Sequence, residues 1–313
     1  MRPPRIWRSR PADAWLVGLS VVHLLANMYF AWTWDEASLV RQCIVFALVV
    51  LATVYNIIVV SHVFTHRPWF RSEVLNSMAS ALNSVNAGQS VMAYRLLHVC
   101  NHHRYNNDRQ GPDGKTRDLS STFRGGRNGR HESLLTYALW GALVSVGAQA
   151  RALLRISHGW RVGKRENVLR GLVSPNTVRG ACELRQIRLD RAAHAVGLAG
   201  LTFLSWRWTL TCLIPAVIVA FALVNVQNYF EHYSADPENR YANAVSHYGR
   251  LYNLLTFNDG FHQEHHVRPS AHWSELPGIR PELADAPGAA ARVVSPVPAI
   301  LGLADRSRRD PTR

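Results

Sequence analysis

The chain has 313 residues, 48% of them hydrophobic and 18% charged, and carries a formal net charge of +14. Such a charge could serve nucleic-acid binding, but the basic residues cluster between apolar runs, which is typical of the cytoplasmic face of a membrane protein. The four cysteines have no CxxC spacing, which argues against a disulfide framework and against cysteine-ligated zinc or iron–sulfur sites.

Three long runs without a formal charge stand out along the chain. They are Ala14 to Trp34 with 21 residues, Cys43 to Val60 with 18 and Trp208 to Tyr229 with 22. A hydrocarbon core of about 30 Å needs roughly 20 helical residues, so each run predicts a membrane-spanning helix. The first run is too long for a signal peptide and lacks a small-residue cleavage site. A shorter uncharged run, residues 192–206, is the fourth predicted span.

The distribution of basic residues predicts the orientation. Residues 1–11 are basic, and residues 151–191 hold ten Lys or Arg against three acids. The positive-inside rule places both segments in the cytoplasm. Residues 134–150 are also uncharged, but a span there would put the histidines before and after it on opposite sides. We therefore predict an interfacial or partly re-entrant helix at 134–150.

Histidines concentrate at or beside the ends of the apolar runs. Three clusters read 62-HVFTH-66, 98-HVCNHH-103 and 262-HQEHH-266, and His232 stands alone in 228-NYFEH-232. Spacings of three and four place the imidazoles of a cluster on one helix face. Neutral imidazole is the commonest protein ligand of transition metals. Nine imidazoles exceed what one ion can bind, so the count predicts two metals.

The histidine pattern also restricts the choice of metal. The sequence has no HExxH motif, which is the pattern of many zinc proteases. Two ions with four or five nitrogen ligands each leave an open position where dioxygen could bind. Iron fits best, because imidazole suits iron and redox chemistry explains a pair of ions.

The order HxxxH, HxxxHH, NxxxH and HxxHH resembles the integral-membrane fatty acid desaturase and hydroxylase superfamily, over about residues 15–280. The resemblance implies an all-α protein with four transmembrane helices and a cytosolic helical cap that holds a non-haem di-iron site. It divides the chain into a desaturase-like domain, residues 1–280, and a C-terminal tail, residues 281–313, expected to be solvated and loosely ordered. By motif the metal-binding residues are His62, His66, His98, His102, His103, Asn228, His232, His262, His265 and His266.

Carboxylates near these ligands are expected to orient the imidazoles through hydrogen bonds. The candidates are Asp108, Asp118, Glu231, Asp259 and Glu264. For any one of them, a solvated loop position is an equally open interpretation. His247 and His272 lie nearest the last cluster and are outside possibilities as ligands, whereas the remaining histidines are assigned to structure or surface.

The resemblance implies an oxidoreductase that uses two iron ions, dioxygen and external electrons to oxidise unactivated C–H bonds of a fatty acyl or lipid chain. Desaturation is favoured, and hydroxylation or alkene-forming decarboxylation stay open. The second cluster has three residues before its HH pair where many acyl desaturases have two, which is nearer to bacterial hydroxylase-like members. The chain lacks haem-attachment, GxGxxG and iron–sulfur motifs, so a separate ferredoxin, rubredoxin or haem-protein donor is implied.

Other function classes fit less well. Metal transporters place their ligands at mid-bilayer in broken helices, whereas these histidines lie at the ends of the runs. A metal sensor is the related distant alternative. Nucleic-acid binding is opposed by the three long apolar runs. The expected location is an integral membrane position, in a bacterial inner membrane, with both termini and the di-iron site cytoplasmic.

Overall fold

The structure is a computed structural model, and it describes residues 6–111, 113–126, 129–156, 164–286, 288–305 and 308. These residues are mostly helical. The chain forms two compact units, the first made of 1–96 and 143–221 and the second of 97–142 and 222–313.

The helices follow one another with few strands between them. In chain order the α-helices are α1 (Ala14–Trp32), α2 (Leu39–Tyr55), α3 (His62–His66), α4 (Glu73–Ala87), α5 (Val91–Leu97), α6 (His103–Tyr105), α7 (Gly141–Ile156), α8 (Lys164–Leu172), α9 (Thr177–Leu204), α10 (Trp206–Trp208), α11 (Ile214–His232), α12 (Arg250–Leu255), α13 (His262–Val267) and α14 (Leu276–Glu282). Two short strands of the second unit, β1 (Val245–Ser246) and β2 (Val293–Val294), pair in parallel.

Within the described ranges, three helical stretches are long and apolar enough to cross a membrane. They are Pro11–Trp32, Leu39–His66 and Trp206–His232. Each of the three long apolar runs is thus helical, as predicted. The second stretch ends on His66 of the first cluster and the third ends on the single His232. The fourth predicted span lies in the second half of the 28-residue helix α9. The part of α9 without charge, residues 192–204, covers only about 20 Å, which is shorter than a hydrocarbon core.

Residues 134–150 are helical, as expected. A π-helical segment, Thr136–Trp140, leads directly into α7. This helix is not among the stretches of the described chain that are long and apolar enough to span a membrane.

Short π-helical segments interrupt several of the helices. They are Asn56–Ser61, His98–His102, Thr136–Trp140 and Thr209–Leu213. Such segments contain one extra residue per turn and occur frequently at functional sites. Asn56–Ser61 ends immediately before His62, and His98–His102 contains most of the second histidine cluster. Two of the segments therefore alter the helical register at the histidines.

A fully buried carboxylate organises part of the first unit. Asp190 of α9 accepts hydrogen bonds from Ser80 Oγ (2.9 Å), Ser90 Oγ (2.9 Å), Gln186 Nε2 (2.8 Å) and the backbone N–H of Met92 (2.9 Å). Because α5 begins at Val91, Asp190 supplies an acceptor to the amino end of that helix, in the manner of an N-cap residue.

The first unit also contains a buried chain of small polar side chains. Asn83 Oδ1 accepts from Ser20 Oγ (2.9 Å) and from Asn56 Nδ2 (2.8 Å), and Asn56 Oδ1 accepts from Ser61 Oγ (2.9 Å). Polar groups in a membrane-embedded bundle must find partners inside the protein. These side chains join α1, α4 and the π-helical segment Asn56–Ser61 in that way.

The C-terminal segment differs from the solvated, loosely ordered tail expected from its composition. Ser295 is buried, and its carbonyl lies 3.0 Å from His247 Nδ1. Arg308, also buried, donates to the backbone carbonyls of Phe230 and Tyr233 at the end of α11. In the described part of the segment, the Ser295 carbonyl is an acceptor for His247 and Arg308 donates to two carbonyls of the second unit, contacts that an Ala/Pro-rich composition does not reveal.

Candidate metal centre

Three buried imidazoles meet in the second unit. His102 lies in the π-helical segment, His232 is the last residue of α11, and His266 lies in α13. One ring nitrogen from each lies within 4.8 Å of the others. The ring centroids are 4.8 to 5.1 Å apart. Three separate chain segments therefore bring three potential ligands to one point.

Each of these rings is held by a hydrogen bond at its Nδ1 atom. The acceptors are Asp118 Oδ2 for His102 (2.7 Å), the backbone carbonyl of Asn243 for His232 (3.1 Å) and Asn106 Oδ1 for His266 (3.1 Å). A neutral imidazole that donates from Nδ1 has its lone pair on Nε2. The three hydrogen bonds thus set the tautomer that metal ligation requires.

The Nε2 atoms of the same rings support a metal site. Those of His102, His232 and His266 are buried and have no hydrogen-bond partner among the described residues. A buried polar atom left in this state costs about 1–3 kcal/mol. Burial, and after it the neighbouring histidines, lower the pKa of His266 well below its usual value, so that this ring stays neutral. Three convergent imidazole nitrogens are a donor set that fits a transition metal.

A second group of imidazoles lies in the same unit. The Nε2 atom of His103 is 3.1 Å from that of His98 and 3.0 Å from that of His265. All three rings belong to a set whose ligand atoms lie within 4.8 Å of one another. The second unit therefore provides two groups of three imidazoles, as expected for two metal positions.

The π-helical segment explains how the second cluster serves both groups. On a regular α-helix, residues four apart share a face, which would pair His98 with His102. In the π-helical segment residues five apart also come together, so that His98 meets His103, with ring centroids 4.6 Å apart, while it still stacks on His102 at 5.2 Å. His102 is then directed to the group that contains His232 and His266.

His62 and His66 lie in the first unit, at the end of the helical stretch Leu39–His66. Their ring centroids are 5.1 Å apart, and His62 Nδ1 is 3.2 Å from the carbonyl of Ile58. The pair thus lies on one face of α3, as the HxxxH spacing predicts.

His262 is buried beside the first of the two groups. Its ring centroid is 4.7 Å from that of His266 and 5.3 Å from that of His232. Its Nδ1 atom is 3.6 Å from Glu231 Oε1. It belongs to neither group of convergent ligands in the described structure, although motif and proximity keep it a predicted ligand.

The predicted carboxylates divide into different roles. Asp118 is fully buried and accepts from His102, Ser120 and the backbone N–H of Asn107. Burial raises its pKa, but the electrostatic attraction and hydrogen bond of the His102 N–H group and the hydrogen bonds of Ser120 outweigh burial and hold that pKa well below its usual value. Asp108 instead accepts from the backbone of Asp118 and from Arg117, so that it shapes the loop around Asp118.

The other three carboxylates are tied to the elements that carry ligands. Gln227 Nε2 bridges Glu231 Oε1 (2.9 Å) and Asp259 Oδ2 (2.8 Å). Glu264 is fully buried and accepts from Ser246 Oγ (2.8 Å). Glu231 also lies near His262, as described above. The hydrogen bond between Ser246 and Glu264 joins β1 to α13.

Asn228 lies one turn before His232 on α11, as the NxxxH motif predicts. Its Nδ2 atom donates to Tyr137 Oη and to the backbone carbonyl of Ser120 (3.3 Å). Both contacts use the amide nitrogen as a donor. The side-chain oxygen of Asn228 is therefore the atom that could act as a ligand.

Sequence reasoning missed several residues that hold the ligands. Asn106 and Asn107 follow the HH pair in the left-handed region, with φ of 49° and 61°, a conformation that asparagine tolerates better than most residues. The tandem asparagines were the available signal for this turn. Asn243 acts through its backbone, which no side-chain motif reveals. His272 caps a 3₁₀ turn with Glu275, so its role is structural.

A mostly helical protein with three stretches able to span a membrane and two groups of converging imidazoles is a membrane protein equipped to hold metal. Residues 39–297 match the family model described as fatty acid desaturase. The chain belongs to the fatty acid desaturase family. It is similar to a sphingolipid delta(4)-desaturase of Komagataella phaffii, with 43% identity over 58 residues, which are 16% of this chain and 16% of that protein. The similarity thus spans about a sixth of the length of this curated relative.

Proposed function

We propose that this protein is a membrane-bound di-iron oxidoreductase that desaturates a fatty acyl or lipid chain. The observation that carries the proposal is the group of His102, His232 and His266, whose anchored rings direct buried Nε2 atoms to one point. The family match supports the reaction class. When bound, an iron pair would supply the activation of dioxygen. The overall reaction would consume dioxygen, two external electrons and two protons, remove two hydrogens from the chain, and give a double bond and two waters.

The protein's own contribution is to fix and shield this site. Asp118, Asn106 and the Asn243 carbonyl keep the three imidazoles in the Nδ1–H tautomer. The side chains of His102, His232 and His266 are buried, which excludes water from the reacting region. These residues orient ligands and exclude solvent, whereas the position of the substrate chain decides which C–H bonds are oxidised.

By motif, the proposed ligand set also includes His62 and His66 from the first unit and His262 from the second. The proposed topology has four spans, with both termini and the site in the cytoplasm of a bacterial cell. The proposed partners are a membrane lipid substrate and a separate donor of the ferredoxin, rubredoxin or haem-protein type. An acidic donor would be attracted by the net charge of +14.

The spacing of the second cluster favours a second candidate function. Its three residues before the HH pair, 99-VCN-101, make hydroxylation or alkene-forming decarboxylation the alternative reactions. These share the ligand set and differ in product. Desaturation gives a product two mass units lighter, hydroxylation adds one oxygen, and decarboxylation gives a terminal alkene one carbon shorter.

The test combines metal analysis with lipid profiling. The protein is expressed in a bacterial host with a ferredoxin and its reductase, and total lipids and volatile hydrocarbons are analysed by mass spectrometry. Iron is measured in the purified protein. His266→Ala should lose iron and product, whereas His272→Asn should keep both, because asparagine can replace histidine at a helix cap. A wild-type protein without bound iron would contradict the proposal, and iron without any lipid product would favour a metal sensor.

A further inference from the structure

Tyr137 lies outside the ligand motifs and contacts Asn228 of the NxxxH motif. It lies in the π-helical segment Thr136–Trp140, and its hydroxyl is 2.7 Å from the backbone carbonyl of Ser120. The same hydroxyl accepts a hydrogen bond from Asn228 Nδ2. The phenol oxygen therefore both donates and accepts, with one partner on each side.

These contacts determine which way the Asn228 amide points. A backbone carbonyl can only accept a hydrogen bond, so the Asn228 atom that faces the Ser120 carbonyl must be nitrogen. Because the Tyr137 hydroxyl donates its one hydrogen bond to the same carbonyl, it can only accept a hydrogen bond from Asn228. Both contacts require the amide nitrogen on this side. The Asn228 oxygen must then point the other way.

The same loop residue connects this arrangement to the histidines. Ser120 Oγ is 2.8 Å from Asp118 Oδ1 and 3.2 Å from His102 Nδ1. Its backbone carbonyl receives Tyr137 and Asn228. Ser120 therefore joins the residues that orient a ligand imidazole to those that orient the Asn228 amide.

The segment that carries Tyr137 is itself fixed to α11. Asn225, three residues before Asn228, donates from Nδ2 to the carbonyl of Ala138 (3.1 Å). The ring of Tyr137 also packs against Tyr229, with centroids 5.6 Å apart. Contacts on both sides of Asn228 along α11 hold the phenol in place, so that its hydroxyl meets the amide in a defined position.

We propose that Tyr137 is a positioning residue for Asn228, which locks the amide so that its oxygen, and not its nitrogen, faces the metal centre. This inference rests on the proposed function, because it assumes that Asn228 interacts with a bound metal or with its water. Without the Tyr137 hydroxyl, only the longer hydrogen bond to the Ser120 carbonyl (3.3 Å) still orients the amide. A larger fraction of the molecules then presents the N–H₂ group, which cannot act as a ligand or accept a hydrogen bond from metal-bound water.

The test is a double-mutant cycle on metal affinity. Wild type, Tyr137→Phe, Asn228→Ala and the double variant are purified as full-length chains in detergent and titrated anaerobically with Fe(II) against a competing chelator. Spectra with Co(II) report the ligand environment directly. Tyr229→Phe is the matched control, since it also removes a tyrosine hydroxyl that donates to a backbone carbonyl, that of Glu132 (3.1 Å). Metal-free unfolding midpoints monitor folding.

We expect Tyr137→Phe to weaken iron binding by about 10-fold, the lower end of what loss of an outer hydrogen bond costs, and to change the Co(II) spectrum. In the Asn228→Ala background the same substitution should have no further effect, and Tyr229→Phe should leave affinity and spectrum near wild type. Equal effects of Tyr137→Phe in both backgrounds, or equal effects of the two tyrosine variants, would overturn the inference. A wild-type protein that binds no metal is distinguishable, because all variants are then equally empty and the proposed function falls as well.

Discussion

Substitution of Asp118 by alanine should weaken both the fold and the metal site. Its Oδ2 atom accepts from His102 and from the backbone N–H of Asn107, and its Oδ1 atom accepts from the backbone and side chain of Ser120. The serine hydroxyl can rotate to another partner, but the two backbone N–H groups cannot. At about 1–3 kcal/mol for each unsatisfied buried donor, the loss of stability is about 2–6 kcal/mol.

The effect on metal binding follows from the tautomer of His102. Without Asp118 the imidazole has no acceptor of comparable strength at Nδ1, and its proton can move to Nε2, which removes the lone pair needed by the metal. We expect iron affinity to fall by about 10- to 100-fold. Denaturant unfolding in detergent measures the first effect, and chelator competition measures the second.

The control for this experiment is Asp113→Ala in the same loop. Asp113 is exposed and bonds only locally, to the backbone N–H of Lys115 (3.2 Å) among the described contacts. Since the Asp118 pKa is depressed in the folded state, the stability difference between wild type and Asp118→Ala should begin to shrink below about pH 4, as the carboxylate protonates. An Asp118→Ala protein with wild-type iron affinity, or with a stability change within about 0.5 kcal/mol, would refute the reasoning.

Three further substitutions test other parts of the structure. Burial, aided by nearby arginines, lowers the pKa of His131 to about 4. Between about pH 6.5 and pH 4 this histidine therefore binds a proton in the unfolded chain but not in the folded chain. Stability should therefore fall from about pH 6.5 to about pH 4, and His131→Phe should make the fall smaller in unfolding measurements; an unchanged slope would contradict this. Gly302→Ala should destabilise by about 1–3 kcal/mol, because the added carbon would lie 2.1 Å from the Phe230 ring, whereas Gly278→Ala, with open space around it, should be neutral or stabilising in thermal unfolding. Asp190→Ala should cost at least about 2 kcal/mol, because its buried donors lose their acceptor, and a smaller loss in denaturant unfolding would argue against its capping role.

The sequence was most informative about the elements that carry the chemistry. Absence of charge over about 20 residues was sufficient to predict three stretches able to span, because the length of an apolar helix is fixed by its rise per residue. The clusters predicted converging imidazoles, and the second unit contains two such groups. Asp118, selected only for its nearness to the second cluster, contacts His102 directly.

The remaining features depend on backbone geometry that side-chain patterns do not encode. An α-helical register placed His98 and His102 on one face, and their rings do stack, but the π-helical segment also brings His98 to His103, which the sequence pattern did not predict. The Asn243 acceptor is a backbone carbonyl, which any residue could supply. Tyr137 is a single aromatic residue in an apolar run. Its hydroxyl donates to the backbone carbonyl of Ser120, 17 positions earlier in the chain, and a sequence pattern does not reveal that contact.

The contact of Arg308 with α11 has a consequence for the order of folding. Arg308 donates to the Phe230 carbonyl across 78 positions of the chain and also to the Tyr233 carbonyl, and these two acceptors flank His232. A contact of such long sequence separation forms late, after the loop-closure entropy has been overcome. During synthesis, the helix end that bears His232 therefore lacks its two hydrogen bonds from Arg308 until nearly all of this sequence has emerged from the ribosome. Capture of metal should accordingly follow translation, and a fusion partner joined close behind Arg308 should slow maturation more than one joined ahead of α1.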